Sequence, residues 1–337
     1  MAAPPRTGAP WFVDGHLDLA LLAQEGRDLL RAAEEPARQG VTLPALAAGD
    51  VRVVLGTLFT QLGAPGERWG YRDHDDLDGA RRAALDQLSI YERLERDGHI
   101  RLVRWAADLP ASPQPGQPLA VILLMEGGDP IAGPADVAWW FERGVRAVGL
   151  SWSQGSRWSG GNARPGGLAP GGREVVAALD EAGILHDASH LSDQALEELL
   201  EVSERPVVAS HSNARALMDP SERHLRDDHA RRLVSRGGVV GLNLYGRFLA
   251  SGRPATLDDA VRHLEHWCQV VGESNVVLGS DLDGGFTPAE CPPGASRPEE
   301  LPAFAQMLGE RGWGRARVES FAHGAWMRVL ARCLPRR

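Results

Sequence analysis

The stretch from Ile184 to Arg215 constrains the fold of this chain more than any other part of the sequence. Its apolar runs, such as Val207-Val208-Ala209, are typical of buried parallel strands, and the segment between them is typical of a crossover helix. The two strands run into Ser-His pairs, Ser189-His190 and Ser210-His211. Parallel strands joined by one crossover end on the same side of a sheet, so we expect both imidazoles at one rim. Two histidines placed in this way indicate half of a metal site.

The rest of the chain alternates strands and helices in the same way, with no internal repeat. This pattern predicts a single α/β domain, a (β/α)8 barrel of the TIM type over residues 1–337, with residues 1–10 as a flexible tail. About nine strands are predicted where a barrel needs eight, and we expect Ile100–Trp105 to lie outside it. Helices are predicted at Leu19–Ala33, Asp76–Asp97, Leu257–Val271 and Val318–Leu330, among others. The loop over residues 151–172 has a length that usually indicates function.

Composition excludes several kinds of partner. The net charge of −9 argues against nucleic acid and against an anionic membrane surface. The N-terminal MAAPPRTGAP lacks the apolar core of a signal peptide, and no apolar run approaches the length of a membrane span. Cys268, Cys291 and Cys333 are scattered, which indicates neither a disulfide framework nor a Cys-zinc site. We therefore expect a cytoplasmic location without membrane contact.

The sequence contains no lysine, because every basic residue is arginine or histidine. Schiff-base enzymes, PLP enzymes and P-loop NTPases each need a lysine amine, so these classes are excluded. Neither GxGxxG nor GxSxG occurs. Any chemistry must therefore use histidine, aspartate, glutamate, serine and arginine.

Further metal-ligand residues follow other predicted strands. His16 and Asp18 come after the strand at Trp11–Val13, and residues two apart on an extended backbone point the same way, so both side chains can bind one cation. Glu126 ends the most apolar run of the chain, AVILLM, where a carboxylate is costly unless it is paired or bound to a metal. Asp281 follows the predicted strand Val276–Leu278.

Together these residues predict a dinuclear metal site. Two neighbouring divalent cations need a bridging carboxylate and N/O ligands on both flanks. His16 and Asp18 would bind one cation, His190 and His211 the other, and Glu126 would bridge them. Imidazole and carboxylate ligands without thiolate favour Zn²⁺, with Mn²⁺, Fe²⁺ and Co²⁺ as alternatives. A hydroxide between the metals would be the nucleophile, and Asp281 would accept its proton and deliver it to the leaving amine.

Four motifs resemble the membrane dipeptidase (renal dipeptidase) family, metallopeptidase family M19 of the amidohydrolase-like superfamily. They are Asp14-Gly15-His16-Leu17-Asp18-Leu19, Glu126-Gly127-Gly128, the segment from Asp187 to Arg215, and Gly279-Ser280-Asp281-Leu282-Asp283-Gly284. The resemblance implies the ligand set above with two zinc ions, Asp281 as the acid/base group, and Arg223 as the arginine that holds the free carboxylate of a dipeptide. It also implies cleavage of dipeptides, often with a D-residue at the C-terminal position, and a homodimer.

Three positions depart from the family pattern. Trp152 stands where many members have a histidine that steadies the scissile carbonyl, and its indole N–H can donate one hydrogen bond but carries no positive charge. We treat Trp152 as a substrate-binding residue. His224 replaces an asparagine after Arg223, and His323-Gly324-Ala325 replaces a Gly-Gly-Asn. His186 lies in the predicted strand that leads to His190, and it is a candidate for a residue that contacts and orients the metal ligands.

The sequence thus predicts a dinuclear zinc dipeptidase. A metal-dependent amidohydrolase acting on another small amide or lactam is the alternative, motivated by Trp152 and His224. A non-catalytic binding barrel is a third hypothesis, which would require a broken metal site.

Overall fold

The computed structural model describes residues 10–336, so nearly all of the predicted N-terminal tail lies outside the described residues. The strands are Phe12–Leu17 (β1), Val51–Phe59 (β2), Gln61–Leu62 (β3), Gly70–Tyr71 (β4), Ile100–Leu102 (β5), Leu119–Glu126 (β6), Val145–Gly149 (β7), Ser159–Gly161 (β8), Arg164–Leu168 (β9), Leu185–Asp187 (β10), Val207–Val208 (β11), Val240–Leu242 (β12) and Val276–Leu278 (β13). The α-helices are Leu19–Gln24 (α1), Leu43–Ala48 (α2), Leu77–Arg96 (α3), Val137–Glu142 (α4), Gly172–Ala182 (α5), Asp193–Val202 (α6), Asp227–Ser235 (α7), Leu257–Val271 (α8), Leu301–Glu310 (α9), Arg315–Glu319 (α10) and Ala325–Cys333 (α11).

Eight of these strands form the predicted (β/α)8 barrel. Strands β1, β2, β6, β7, β10 and β11 pair in that order, and every pair is parallel. A parallel bridge from Ala209 to Val240 continues the sheet to β12, which pairs with β13. The backbone N–H of Asp281 then donates to the carbonyl of His16 at 3.3 Å and returns to β1. Strand β5 pairs only with the first part of β6 and lies off this path, as predicted.

The barrel interior is an apolar core closed by the C-terminal helix. Side chains such as Leu55, Ile122 and Leu124 fill it and pack against α11. Trp326 of α11 points inward, where its indole N–H donates to the carbonyl of Leu278 at 2.8 Å. Its ring occupies the space that a side chain at Gly15 would need, which explains the glycine there. The rim where the strands end is therefore the open side of the barrel.

Local sequence determines where the longer helices begin. The hydroxyl of Ser192 accepts from the N–H of Ala195 and caps α6 at 3.1 Å, and Asp76 caps α3 in the same manner. Thr256 and Asp259 form a capping box at the start of α8. The helices predicted at Asp76–Asp97 and Leu257–Val271 are confirmed.

The helix predicted at Leu19–Ala33 is wrong beyond Gln24. The chain turns at Gly26, which has φ +94°, and continues as an irregular segment. Asp283 holds that segment, because one carboxylate oxygen accepts from the N–H groups of Gly40 and Val41 at 2.8 Å each and from Arg27. A distant carboxylate overrides the local helical pattern here. The last predicted helix is interrupted by a π-helical turn at Ser320–Gly324.

Among residues 10–336, no helix has both the length and the apolar content that crossing a bilayer requires.

Candidate metal centre

The predicted ligands meet at the carboxyl ends of the barrel strands. His16 lies in β1 with Asp18 directly after it, and Glu126 is the last residue of β6. His190, His211 and Asp281 each come three residues after β10, β11 and β13, respectively. All but His190 are buried, and the His190 side chain is only 10% exposed.

Glu126 stands between two groups of ligand atoms. On one side, Nε2 of His16 lies 3.5 Å from Oε2 of Glu126, 3.8 Å from Oδ1 of Asp18 and 3.9 Å from Oδ1 of Asp281. On the other side, Oε1 of Glu126 lies 3.3 Å from Nε2 of His190 and 3.7 Å from Nε2 of His211. The groups Glu126–His190–His211 and His16–Asp18–Asp281 each have the spacing of a cation site. This is the arrangement that a bridging carboxylate needs.

Two of these residues have a left-handed backbone. The φ angles are +69° at His190 and +59° at Asp281. Side chains other than glycine seldom adopt this conformation, and where they do it often marks a functional position. It turns both side chains into the pocket directly after their strands.

Hydrogen bonds at Nδ1 of His190 and His211 leave the Nε2 atoms of the two rings facing one another as acceptors. Nδ1 of His211 donates to the hydroxyl of Ser210 at 2.7 Å, because that hydroxyl gives its own proton to Asp187 at 2.5 Å. Nδ1 of His190 donates to the side-chain oxygen of Asn162 at 2.9 Å. The Nε2 atoms of both histidines therefore carry lone pairs, and they lie only 3.1 Å apart. Oε1 of Glu126 is also buried there, and no donor among residues 10–336 reaches it.

Three acceptors that converge without a proton are unfavourable unless a cation binds them. The donor set is nitrogen and oxygen without sulfur, which suits Zn²⁺ and related divalent ions. The residues present thus fit a metal centre.

The titratable groups of the pocket are strongly coupled. Burial lowers the pKa of His16, but the carboxylates of Glu126, Asp18 and Asp281 outweigh it and raise that pKa to about 10. Burial raises the pKa of Asp281 to about 7 and also raises that of Glu126. A positive charge in the pocket would therefore stabilise the clustered carboxylates, and either a proton on His16 or a metal cation can supply it.

Burial holds the other two imidazoles in the neutral form. It lowers the pKa of His190 and of His211 well below the usual range, and the nearby charges of Arg223 and His16 act in the same direction. Neutral imidazole is the form that binds metals.

Two buried aspartates escaped the sequence reasoning. Asp14 accepts from the N–H of Ser280 at 2.7 Å and from its hydroxyl at 2.5 Å, tying β1 to the end of β13. Asp187 accepts from the N–H of Ser210 at 2.9 Å, tying β10 to β11. Both carboxylates precede a ligand by two or three residues, and both belong to the motifs noted above. Their position shortly before a ligand, within these motifs, was the sequence signal that could have identified both aspartates.

Arg223 lies beside the ligands, and its guanidinium is only partly hydrogen-bonded. It is 6% exposed, and its Nη2 donates to the carbonyl of His211 at 3.0 Å. The Arg223 guanidinium also lies over the Phe248 ring, 4.8 Å from the centroid. It forms no ion pair within residues 10–336, its Nε has no partner there, and burial lowers its pKa. A buried guanidinium of this kind is suited to bind an anion that enters the pocket.

The departures Trp152 and His224 both lie near this pocket. The Trp152 ring meets Phe59 edge to face at 5.1 Å and lies 6.0 Å from the His190 ring. His224 packs against Phe248 at 5.4 Å, and burial together with the charge of Arg223 lowers its pKa to about 3. His224 is therefore neutral.

Two other histidines lie away from the ligands. His186 is one residue out of phase with the inward-facing Leu185, so it points out of the barrel, and its Nε2 contacts Asp180 of α5 at 2.6 Å. The proposal that it supports the ligands was wrong. His323 stacks on Trp11, which directly precedes β1, at 4.2 Å. This departure from the family pattern thus lies at the opposite end of the barrel and leaves the substrate pocket untouched.

A (β/α)8 barrel whose strand ends converge histidines and carboxylates on one pocket defines a metal-dependent hydrolase. The sequence profile of the membrane dipeptidase family, peptidase family M19, matches residues 9–333. The chain belongs to this family, and it is a metal-dependent dipeptidase of family M19.

Individual relatives agree with this assignment. An uncharacterised dipeptidase of Schizosaccharomyces pombe is 31% identical over 290 residues, which cover 81% of this chain and 69% of the relative. Dipeptidase 3 of Rattus norvegicus is 27% identical, with 95% of this chain and 64% of the relative covered. A metallopeptidase of Rhodobacter sphaeroides, solved with a phosphinate mimic of the dipeptide L-Ala-D-Ala, is 25% identical, with 96% of this chain and 99% of that chain covered and a TM-score of 0.84.

Proposed function

We propose that this protein is a zinc-dependent dipeptidase that binds two metal ions per chain. His16 and Asp18 would hold one ion, His190 and His211 would hold the other, and Glu126 would contribute to both. The observation that carries this proposal is the convergence on one pocket of the two Nε2 atoms and Oε1 of Glu126, which are the atoms that would bind a cation. Mn²⁺, Fe²⁺ and Co²⁺ are the alternative metals for the same ligands.

Hydrolysis of a dipeptide needs a nucleophile, a group that transfers protons and a group that binds the substrate. When bound by these residues, divalent cations would lower the pKa of a water molecule so that it can act as the nucleophile, and would polarise the scissile carbonyl. Asp281 accepts the proton of that nucleophile and gives it to the leaving amine. The Asn243 amide donates to Oδ2 of Asp281 at 2.8 Å, which leaves Oδ1 facing the pocket 3.9 Å from His16.

Arg223 binds the free carboxylate of the dipeptide, because its buried guanidinium has no ion-pair partner among residues 10–336 and lies beside the ligands. The Trp152 ring lies 6.0 Å from the His190 ring, and Trp152 would contact the substrate with its ring or its indole N–H. The mimic bound by the Rhodobacter sphaeroides relative carries a D-residue at the C-terminal position, which supports acceptance of such dipeptides here. The cytoplasmic location and the homodimer stay predictions.

A panel of substrates tests the proposed activity. The metal-loaded protein is expected to hydrolyse L,L-dipeptides and L,D-dipeptides, and a chelator is expected to abolish both activities. A protein that binds metal but turns over none of the dipeptides would contradict the dipeptidase proposal. Turnover of a lactam or another small amide in their place would favour the amidohydrolase alternative, which Trp152 motivates.

Removing the guanidinium of Arg223 is expected to weaken dipeptide cleavage specifically. We expect Arg223→Met to lower kcat/KM for a dipeptide by about 10²-fold, since a charge-assisted bidentate contact contributes about 3 kcal/mol. The control is the same dipeptide with its C-terminal carboxylate amidated, which the wild-type enzyme is expected to cleave poorly and the variant no worse. An equal loss on both substrates would contradict carboxylate binding by Arg223.

A further inference from the structure

Asn162 contacts His190 through two hydrogen bonds from a remote part of the chain. It lies at the turn of the β8–β9 hairpin, inside the long loop over residues 151–172. Its backbone N–H donates to the carbonyl of His190 at 2.9 Å, and its side-chain oxygen faces Nδ1 of His190 at 2.9 Å. We propose that Asn162 is a positioning residue that fixes the tautomer and the ring orientation of His190 for metal binding. This inference rests on the proposed metal site.

The tautomer matters because a neutral imidazole has a single proton. When Nδ1 carries that proton, Nε2 keeps its lone pair and can bind a cation. Nε2 of His190 is the atom that faces Oε1 of Glu126 at 3.3 Å. An acceptor beside Nδ1 therefore decides whether His190 presents a lone pair or a proton to the pocket.

His211 and His190 obtain this acceptor in different ways. The acceptor for His211 is the adjacent hydroxyl of Ser210, which is itself anchored on Asp187. Within residues 10–336, His190 has no Nδ1 partner other than Asn162. The His190 side chain is also 10% exposed, against 1% for His211, so fewer neighbours confine its ring. We therefore expect the orientation of the His190 ring to depend on Asn162.

The hairpin is fixed firmly enough to position a side chain. Gly161 bridges to Leu191, next to His190, and the N–H of Leu168 donates to Glu198 of α6 at 2.9 Å. The hydroxyl of Ser151 donates to the carbonyl of Gly160 at 3.2 Å. A side chain at Gly160 or Gly161 would overlap the backbone of neighbouring loop residues, so both positions require glycine for close packing.

Metal affinity is the quantity that separates positioning from a merely structural role. The experiment titrates the metal-loaded protein with a competing chelator and measures the affinity of each of the two Zn²⁺ equivalents. The variants are Asn162→Leu and Asn162→Ala, which remove the acceptor, and Asn162→Asp, which keeps an oxygen at the same place. Gln154→Leu is the matched control, because Gln154 is an exposed amide on the same loop without a bond to His190. Circular dichroism verifies that each variant is folded.

We expect the leucine and alanine variants to bind one of the two equivalents about 10- to 100-fold more weakly, as is usual when the partner of a ligating histidine is removed. The aspartate variant and Gln154→Leu should bind both equivalents as the wild-type protein does. Wild-type affinity in the leucine and alanine variants, or an equal loss in the aspartate variant, would overturn this inference alone. A wild-type protein that takes up no metal would overturn the metal site as well.

Discussion

Replacing Asp281 by asparagine is expected to lower kcat for dipeptide hydrolysis by about 10²- to 10⁴-fold, the usual contribution of a general acid/base group. Asparagine has the same shape but no carboxylate to accept a proton. The backbone should tolerate it, because asparagine adopts the left-handed conformation found at Asp281 more readily than most residues. Its side-chain oxygen can still accept the hydrogen bond from Asn243.

The metal content of Asp281→Asn distinguishes the proposed role from a structural one. Since the five other ligand candidates are unchanged, we expect this variant to retain both metal ions while it loses activity. An exposed carboxylate, Asp97, offers the control Asp97→Asn, which should behave as wild type. Retention of full hydrolysis by Asp281→Asn would refute proton transfer by this residue.

Replacing Glu126 by glutamine is expected to remove both metal binding and activity. The glutamate lies between the two ligand groups, with one oxygen 3.5 Å from His16 and the other 3.3 Å from His190. Glutamine presents one oxygen and one N–H group, so it cannot bridge two cations. We expect the bound metal to fall from about two ions per chain to less than one, measured by elemental analysis after dialysis.

Loss of metal should accompany the loss of activity in Glu126→Gln, unlike in Asp281→Asn. The exposed Glu142 provides the control Glu142→Gln, which removes a charge without touching the pocket. Two tightly bound ions in Glu126→Gln would exclude a bridging role for this carboxylate.

The strand-end residues were predictable because strand geometry is local. The i, i+2 spacing of His16 and Asp18 and the apolar run before Glu126 each place a side chain at the end of a strand, and the parallel topology then brings the ends together. The same strand geometry places His186 on the outer face of the barrel, because it alternates with the inward-facing Leu185. The direction of side chains along a strand could therefore be predicted from the sequence.

Contacts that depend on distant segments were not predictable. Asn162 sits in a loop whose path is fixed by packing against α6 and the end of β10, so no local pattern links it to His190. The carboxylate of Asp283 binds Arg27 and the backbone of Gly40 and Val41, and no local pattern in the segment expected to be helical signals these contacts. Tertiary hydrogen bonds decided both outcomes.

The metal content of the purified protein tests the central claim most directly. We predict about two zinc ions per chain by elemental analysis, their removal by a chelator together with dipeptide hydrolysis, and recovery of both on adding Zn²⁺. A protein that carries no metal, and takes up none on reconstitution with any of the four candidate ions, would contradict the site and the mechanism built on it.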